Sequence, residues 1–316
     1  MISWQLTETV LPLVGLPEHG PCDSDELGAW LEQNKDLVNE HLTIHGAVLF
    51  RGFAIGTAQQ FESISSIFCD RFSDYGGGNS PRTKVASNVF TSTEYAKDER
   101  ISMHNEASYL KEMPSRILFF CAKPATQGGQ TPIADCRRIL SRIDPKVRDR
   151  FELKGVLYVN NMHDGAGLGR SWMDVFGTND RKVVEERLAK DGYEFEWRPG
   201  GLLRTSIKAP AILRHPITSE ETWINQAEQW HPSSLNPEFR KQLLSIMHEE
   251  ELPHHAFFGD SSPLEESDLN NIRAAMAAEE RVFEWHQGDV LLCDNLLVMH
   301  GRQPYSGERK ILVAMG

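Results

Sequence analysis

Two short segments nearly two hundred residues apart hold side chains that make chemical sense only if the fold brings them together. One is Met103-His104-Asn105-Glu106. The other runs from Gly288-Asp289 through Cys293-Asp294-Asn295 to His300, and continues Gly301-Arg302-Gln303-Pro304. His104 and Glu106 stand two apart, and on a strand such positions point to one face. His300 follows an apolar strand pattern and can reach the same point from a distant part of the chain. Two imidazoles and one carboxylate, with further positions left open, form the facial donor set that suits non-haem Fe(II). A His-x-Glu pair alone is a weak signal; the apolar run before His300 strengthens it.

Ligands towards both ends of the chain, among many short strand signals and several helix signals, suit a double-stranded β-helix, or jelly roll, flanked by helices. The expected fold class is therefore mixed and mainly β, in a single domain over 1–316. Gly46 to Phe53 reads as a buried strand closed by glycine, and Ser115 to Cys121 and Val290 to Cys293 as short apolar strands. Arg309, Ile311, Val313 and Met315 would share one face of a final strand. Asp23-Ser24-Asp25 opens a helical pattern that puts Leu27, Trp30, Leu31, Leu37 and Val38 on one side. Thr57 and Gln60 have capping-box form. Asp144-Pro145 and Asn236-Pro237 each set a cap residue before a first-turn proline. Helix also fits Asp180 to Asp191, stopped by Gly192, and a stretch near Ile272 to Ala278. The segments near 155–225 and 250–270, rich in glycine, read as loop-rich and as a lid over the site.

Composition removes several function classes. A formal charge of −12 is wrong for a nucleic-acid partner, which needs clustered Lys and Arg. No apolar run is long enough for a membrane span, and Met1 to Glu8 lacks the pattern of a secretory signal. Cys22, Cys69, Cys121, Cys136 and Cys293 are odd in number and scattered, so they read as reduced thiols in a cytoplasmic protein.

The order and spacing of four segments resemble the taurine dioxygenase-like and clavaminate synthase-like Fe(II)/2-oxoglutarate oxygenases. The segments are Gly46-Ala47-Val48-Leu49-Phe50-Arg51-Gly52-Phe53, His104-Asn105-Glu106, Gly128-Gly129-Gln130-Thr131-Pro132-Ile133-Ala134-Asp135, and the tail from His300-Gly301-Arg302-Gln303-Pro304 to Arg309. The resemblance spans most of the chain. It implies iron at His104, Glu106 and His300, with 2-oxoglutarate bound by Thr131 and Arg309 and O2 as the second cosubstrate. A guanidinium can grip a carboxylate through two parallel hydrogen bonds, which gives Arg309 a physical rationale. Arg302 is a further candidate for cosubstrate or substrate, or for tying down the turn.

Halogenating members carry a small residue where this chain has Glu106, so hydroxylation is implied. Taurine dioxygenase has a second arginine four residues after the first, where this chain has Val313. The tail is thus nearer the clavaminate synthase type, and taurine is disfavoured. The implied reaction hydroxylates an unactivated C–H bond of an amino acid, free or attached to a peptide or carrier protein, in a biosynthetic pathway. Desaturation or ring formation would use the same iron site.

Asn88, Arg170 and Arg204 are the candidate substrate contacts. His215, Trp223, Asn225, Gln226, Trp230 and His231 are candidates for a pocket wall, with buried structural residues as the blander reading. Gly76-Gly77-Gly78-Asn79-Ser80 lacks the ending of a phosphate loop, and adjacent His254 and His255 would face opposite ways on a strand. Two rivals stay open on sequence grounds: a zinc hydrolase using the same three ligands, and a binding module without catalysis. Oligomeric state is not legible.

Overall fold

Alternate residues of the Lys310–Met315 strand enter different cores, which fixes how the layers stack. Leu312 and Ala314 join one buried cluster, while Ile311, Val313 and Met315 join another. The computed structural model describes residues 2–6, 11–73, 82–92 and 95–316. Among these, the chain is a mixed fold of helices and many strands.

The largest sheet has seven strands among the described residues. From edge to edge they are Ile2–Leu6, Leu13–Pro17, Ala47–Phe50, Val290–Asp294, Arg116–Lys123, Lys310–Met315 and Phe90–Thr91. Its central strands are buried on both faces, which explains why Ala47–Phe50 and Val290–Asp294 read as unbroken apolar runs. One face is covered by the helices Ser24–Gln33, Lys35–His45 and Ala58–Phe68, through Leu27, Leu31, Val38, Leu42, Phe61 and Ile64. The other shares a cluster with a three-stranded sheet of Ile133–Asp135, Val298–Arg302 and Ile101–His104.

The caps form as the sequence predicts. Thr57 Oγ1 accepts from the Gln60 N–H while Gln60 Oε1 accepts from the Thr57 N–H. Asp144 and Asn236 each cap a helix that begins with proline. The expectation of one apolar side from Leu27 to Val38 fails at Asn34, where the backbone leaves the helix (φ −120°, ψ 22°) and the Asn34 amide donates to the Trp30 carbonyl. A short polar side chain competes for the carbonyl, the helix breaks, and Leu37 is left 39% exposed.

The segments expected to be loop-rich are instead well ordered into elements. Glu194–Trp197, Leu203–Ala209, Val156–Met162 and His254–Phe258 form a four-stranded antiparallel sheet. The helices Trp172–Phe176 and Arg181–Lys190 pack on it through Trp172, Val175, Val184 and Leu188 against Met162 and Leu203. Two of the glycines there act as terminators: Gly177 ends a helix in the left-handed region (φ 62°) and Gly155 joins a helix to a strand (φ 65°), whereas Gly165, Gly167 and Gly169 lie in the irregular connection between Met162 and Trp172. No helix of the described residues is long and apolar enough to cross a membrane.

Candidate active site

His104 and His300 face each other across neighbouring antiparallel strands, their rings 4.6 Å apart. Gly301 permits this approach: a Cβ there would lie 2.6 Å from the Ile101 carbonyl oxygen and 3.2 Å from the Met103 nitrogen. Glu106 arrives differently from the period-of-two expectation. The strand ends at His104, and Glu106 lies in the following turn, next to Ala107 at φ 54°. Two buried asparagines set that turn. Asn295 accepts the Glu106 N–H at 2.9 Å and donates to the carbonyls of Glu106 (3.0 Å) and Pro114 (2.8 Å). Asn105 donates back to the Asn295 carbonyl at 2.7 Å. A reciprocal pair of amides thus latches the His-Asn-Glu segment to the turn before His300.

His104, Glu106 and His300 each offer one ligand atom, and these atoms lie within 4.8 Å of one another. The Ser102 carbonyl, 2.9 Å from His104 Nδ1, can only accept, so that nitrogen carries a proton and Nε2 is the one left to bind a metal. His300 Nε2 faces Glu106 Oε2 at 3.9 Å. Burial, with His104 and Arg82 adding to it, holds the His300 pKa well below its usual value, so its lone pair is available. Burial alone would raise the Glu106 carboxyl, but Arg82 and His104 outweigh it and keep the group ionised. Arg82 Nη2 donates to Glu106 Oε2 at 2.7 Å. Two imidazoles and an ionised carboxylate in this arrangement fit a divalent first-row metal.

Beside the histidines is a small inner cavity, whose walls include Thr131, Arg309, Ile311, Val313 and Phe119. Arg309 Nε donates to the Gly129 carbonyl at 2.8 Å and Nη1 to Ser92 Oγ at 3.4 Å. No carboxylate of the described residues pairs with it. Burial, with Arg302 adding to it, lowers its pKa to about 10, so it stays a cation at neutral pH. A half-buried cation without a carboxylate among the described residues is set to receive an anion. Thr131 is buried, and its Oγ1 accepts from Trp285 Nε1 at 3.1 Å. Arg302 also borders the cavity, but its guanidinium donates to the carbonyls of Tyr95, Ala96 and Glu99. That favours the turn-tying role over ligand contact.

A larger outer cavity opens beside Glu106, with Tyr109, Tyr158, Asn160, Thr205 and Trp230 in its walls. None of Asn88, Arg170 and Arg204 lines either cavity. Asn88 spends both its N–H groups on Glu62. Arg204 points to the opposite face of its strand from Thr205 and donates to Asn161 and the Glu250 carbonyl. Arg170 donates to the Asp174 carbonyl. Of the aromatic and polar group around His215, only Trp230 reaches the cavity; His215 is buried against Asp294 at 3.2 Å. Gly76 to Ser80 lies outside the described residues.

The sequence pattern of the taurine catabolism dioxygenase TauD, TfdA family matches residues 10–315. The chain belongs to the TauD/TfdA family. It is 39% identical over 278 residues to the dapdiamide synthesis protein DdaC of Enterobacter agglomerans, spanning 88% of this chain and 84% of that one. It is 30% identical over 297 residues to a clavaminate synthase-like protein of Arabidopsis thaliana, spanning 90% of this chain and 86% of that one. Among solved structures, PvcB of Pseudomonas aeruginosa superposes with a TM-score of 0.58 at 15% identity, covering 99% of this chain and 90% of its own.

As a TauD/TfdA member the chain is a 2-oxoglutarate-dependent non-haem iron dioxygenase, with Fe(II), 2-oxoglutarate and O2 as its cofactor and cosubstrates. This sets aside the zinc hydrolase and the non-catalytic module. Sequence reasoning missed Arg82, Asn105 and Asn295 as partners of the family's donor set, and Tyr109 and Tyr158 as cavity walls. Only the position of Asn105 and Asn295, polar residues beside ligands, offered a signal. A second group, His231, Glu249 and His255, also brings ligand-type atoms within 4.8 Å. It is knitted by hydrogen bonds, His231 Nδ1 accepting from the Ser233 N–H and His255 Nε2 lying 3.1 Å from Glu249.

Proposed function

We propose that His104, Glu106 and His300 hold the Fe(II), and that Arg309 and Thr131 hold 2-oxoglutarate in the inner cavity. The enzyme then hydroxylates an unactivated C–H bond of an amino acid, or of an aminoacyl or peptidyl substrate, placed in the outer cavity. The balance is substrate plus O2 plus 2-oxoglutarate to hydroxylated substrate, succinate and CO2. When bound, the iron supplies the activation of O2 that this balance needs. The observation that carries the reading is the pairing of two features in one place: the donor triad, and a half-buried arginine with no carboxylate of its own among the described residues.

The chain's residues do the rest. The two imidazoles each present a ring nitrogen to the metal position, and Arg82 steadies one oxygen of Glu106. The guanidinium of Arg309 orients the far carboxylate of the cosubstrate, while Ile311, Val313 and Phe119 keep water from that pair and so strengthen it. Glu106 forms a wall of the outer cavity while His104 and His300 line the inner one, and their ligand atoms lie within 4.8 Å of one another, so a substrate in the outer cavity lies next to the metal position.

In this reading the seven- and three-stranded sheets are the two sheets of a jelly roll, the whole chain is one domain, and the four-stranded sheet with its helices walls the substrate side. The name of DdaC, from dapdiamide synthesis, and the description of PvcB as an oxygenase of an isonitrile synthetic pathway support a small-molecule biosynthetic role. Cytoplasmic location belongs to the same proposal.

The test is an anaerobic titration of metal-free protein with Fe(II) and 2-oxoglutarate, following the visible charge-transfer band of the chelate. The wild type should give the band, His104→Ala should not, and Arg309→Ala should need far more 2-oxoglutarate. Iron bound without any band would overturn the assignment of the site.

A further inference from the structure

The outer cavity has a one-sided charge pattern. Its ionisable walls of definite charge are Glu106, Glu112 and Asp191, and no Lys, Arg or His of the described residues lines it. The remaining residues (1, 7–10, 74–81 and 93–94) contain no Lys, Arg or His either, so none of them can supply a missing base. Glu112 and Asp191 are exposed, and neither carboxylate has a hydrogen bond or ion pair among the described residues. Asp191 also closes the C-terminal end of the Arg181–Lys190 helix, where the backbone carbonyls add negative potential.

Deeper in the cavity, Tyr109, Tyr158 and Trp230 form a mutually packed set of rings. The centroids are 5.7 Å apart for the two tyrosines and 5.2 Å from each tyrosine to Trp230. Aromatic faces and edge carboxylates both attract organic cations. The nearby arginines are committed elsewhere: Arg302 to backbone carbonyls, Arg204 to the opposite face of its strand, and Arg309 to the inner cavity.

From this we infer that the substrate presents an ammonium group to the outer cavity and carries its carboxyl masked, as an amide or ester. The inference rests on the proposed reading of the site. A free carboxylate in the outer cavity would meet Glu112 and Asp191 and no basic wall, since Glu106 is already held by Arg82. An aminoacyl compound offers the positive group without the negative one, so the cavity selects among the amino-acid-like substrates considered above.

The test uses the intact protein loaded anaerobically with Fe(II) and 2-oxoglutarate, and reads the shift of the chelate band as a probe binds. For several side chains, three probes are compared: the amino acid amide, the free amino acid and the N-acetylated amide. The amide should bind at least roughly tenfold more tightly than either of the others. The double variant Glu112→Gln with Asp191→Asn should retain the band but lose most of that preference. Equal or tighter binding of the free acid or the N-acetylated form, or no shift with any amide, overturns the inference. A band that is absent before any probe is added instead overturns the reading of the iron site, so the two failures are distinct.

Discussion

At Gly301 one hydrogen atom separates a working site from a distorted one. A methyl group there collides with the Ile101 carbonyl on the strand that carries His104. Gly301→Ala should cost about 1–3 kcal/mol, as overpacking does, and should weaken Fe(II) binding; urea denaturation and metal titration check both. Asn295 works through hydrogen bonds. Asn295→Ala would leave the Glu106 N–H and two carbonyls buried without their partner. Iron affinity should fall by roughly 10–100-fold, as for lost outer-shell support, with the far-UV circular dichroism unchanged. Unaltered iron affinity would show that the latch does not position Glu106. The donors were legible in the sequence because their types and spacing are rare together. The latch was not, because a buried amide reveals its partner only in three dimensions. The strand-period argument for Glu106 reached the right neighbour by the wrong geometry.

Among the elements, the connection after the Ala227–Trp230 helix holds the titratable group with the clearest consequence for stability. Burial, with His255 adding to it, lowers the His231 pKa to about 4. Its Nδ1 accepts the Ser233 N–H, a bond that protonation removes. The unfolded histidine titrates near 6.5. The stabilisation is therefore full above that value and is lost as pH falls towards 4, because the unfolded chain takes up the proton first. The loss amounts to at most roughly 3 kcal/mol. Denaturation at pH 7 and 4.5 should show a smaller acid-induced loss in His231→Gln than in the wild type; equal losses would contradict the assignment. Helix starts were readable because a cap residue and a first-turn proline act within a few positions. The glycines between 155 and 225 misled, since an isolated glycine looks the same in a loop and at the end of a well-packed element.

For the whole molecule, the donor triad is held by strand pairing and the asparagine latch, none of which needs an ion. Removing iron with a chelator should therefore leave the far-UV spectrum intact. Fe(II) at a hundred times its Kd should then add about 2.7 kcal/mol, seen as a rise of several degrees in Tm. An unfolded metal-free protein would show that the ion itself builds the site. The large sheet was legible as apolar runs, but the four-stranded sheet was not, because its strands share no one pattern (a buried run in Val156–Met162, alternation in Leu203–Ala209, exposed residues in Glu194–Trp197) and two helices separate the first of them from the next. That division of labour has an evolutionary meaning. The proposed metal donors sit on the short sheet and its turn, whereas most of the walls around the outer cavity belong to a separate block of chain. Drift in that block can change which molecule is recognised while the oxidising machinery stays as it is, so new substrates become reachable by mutation without passing through an inactive ancestor.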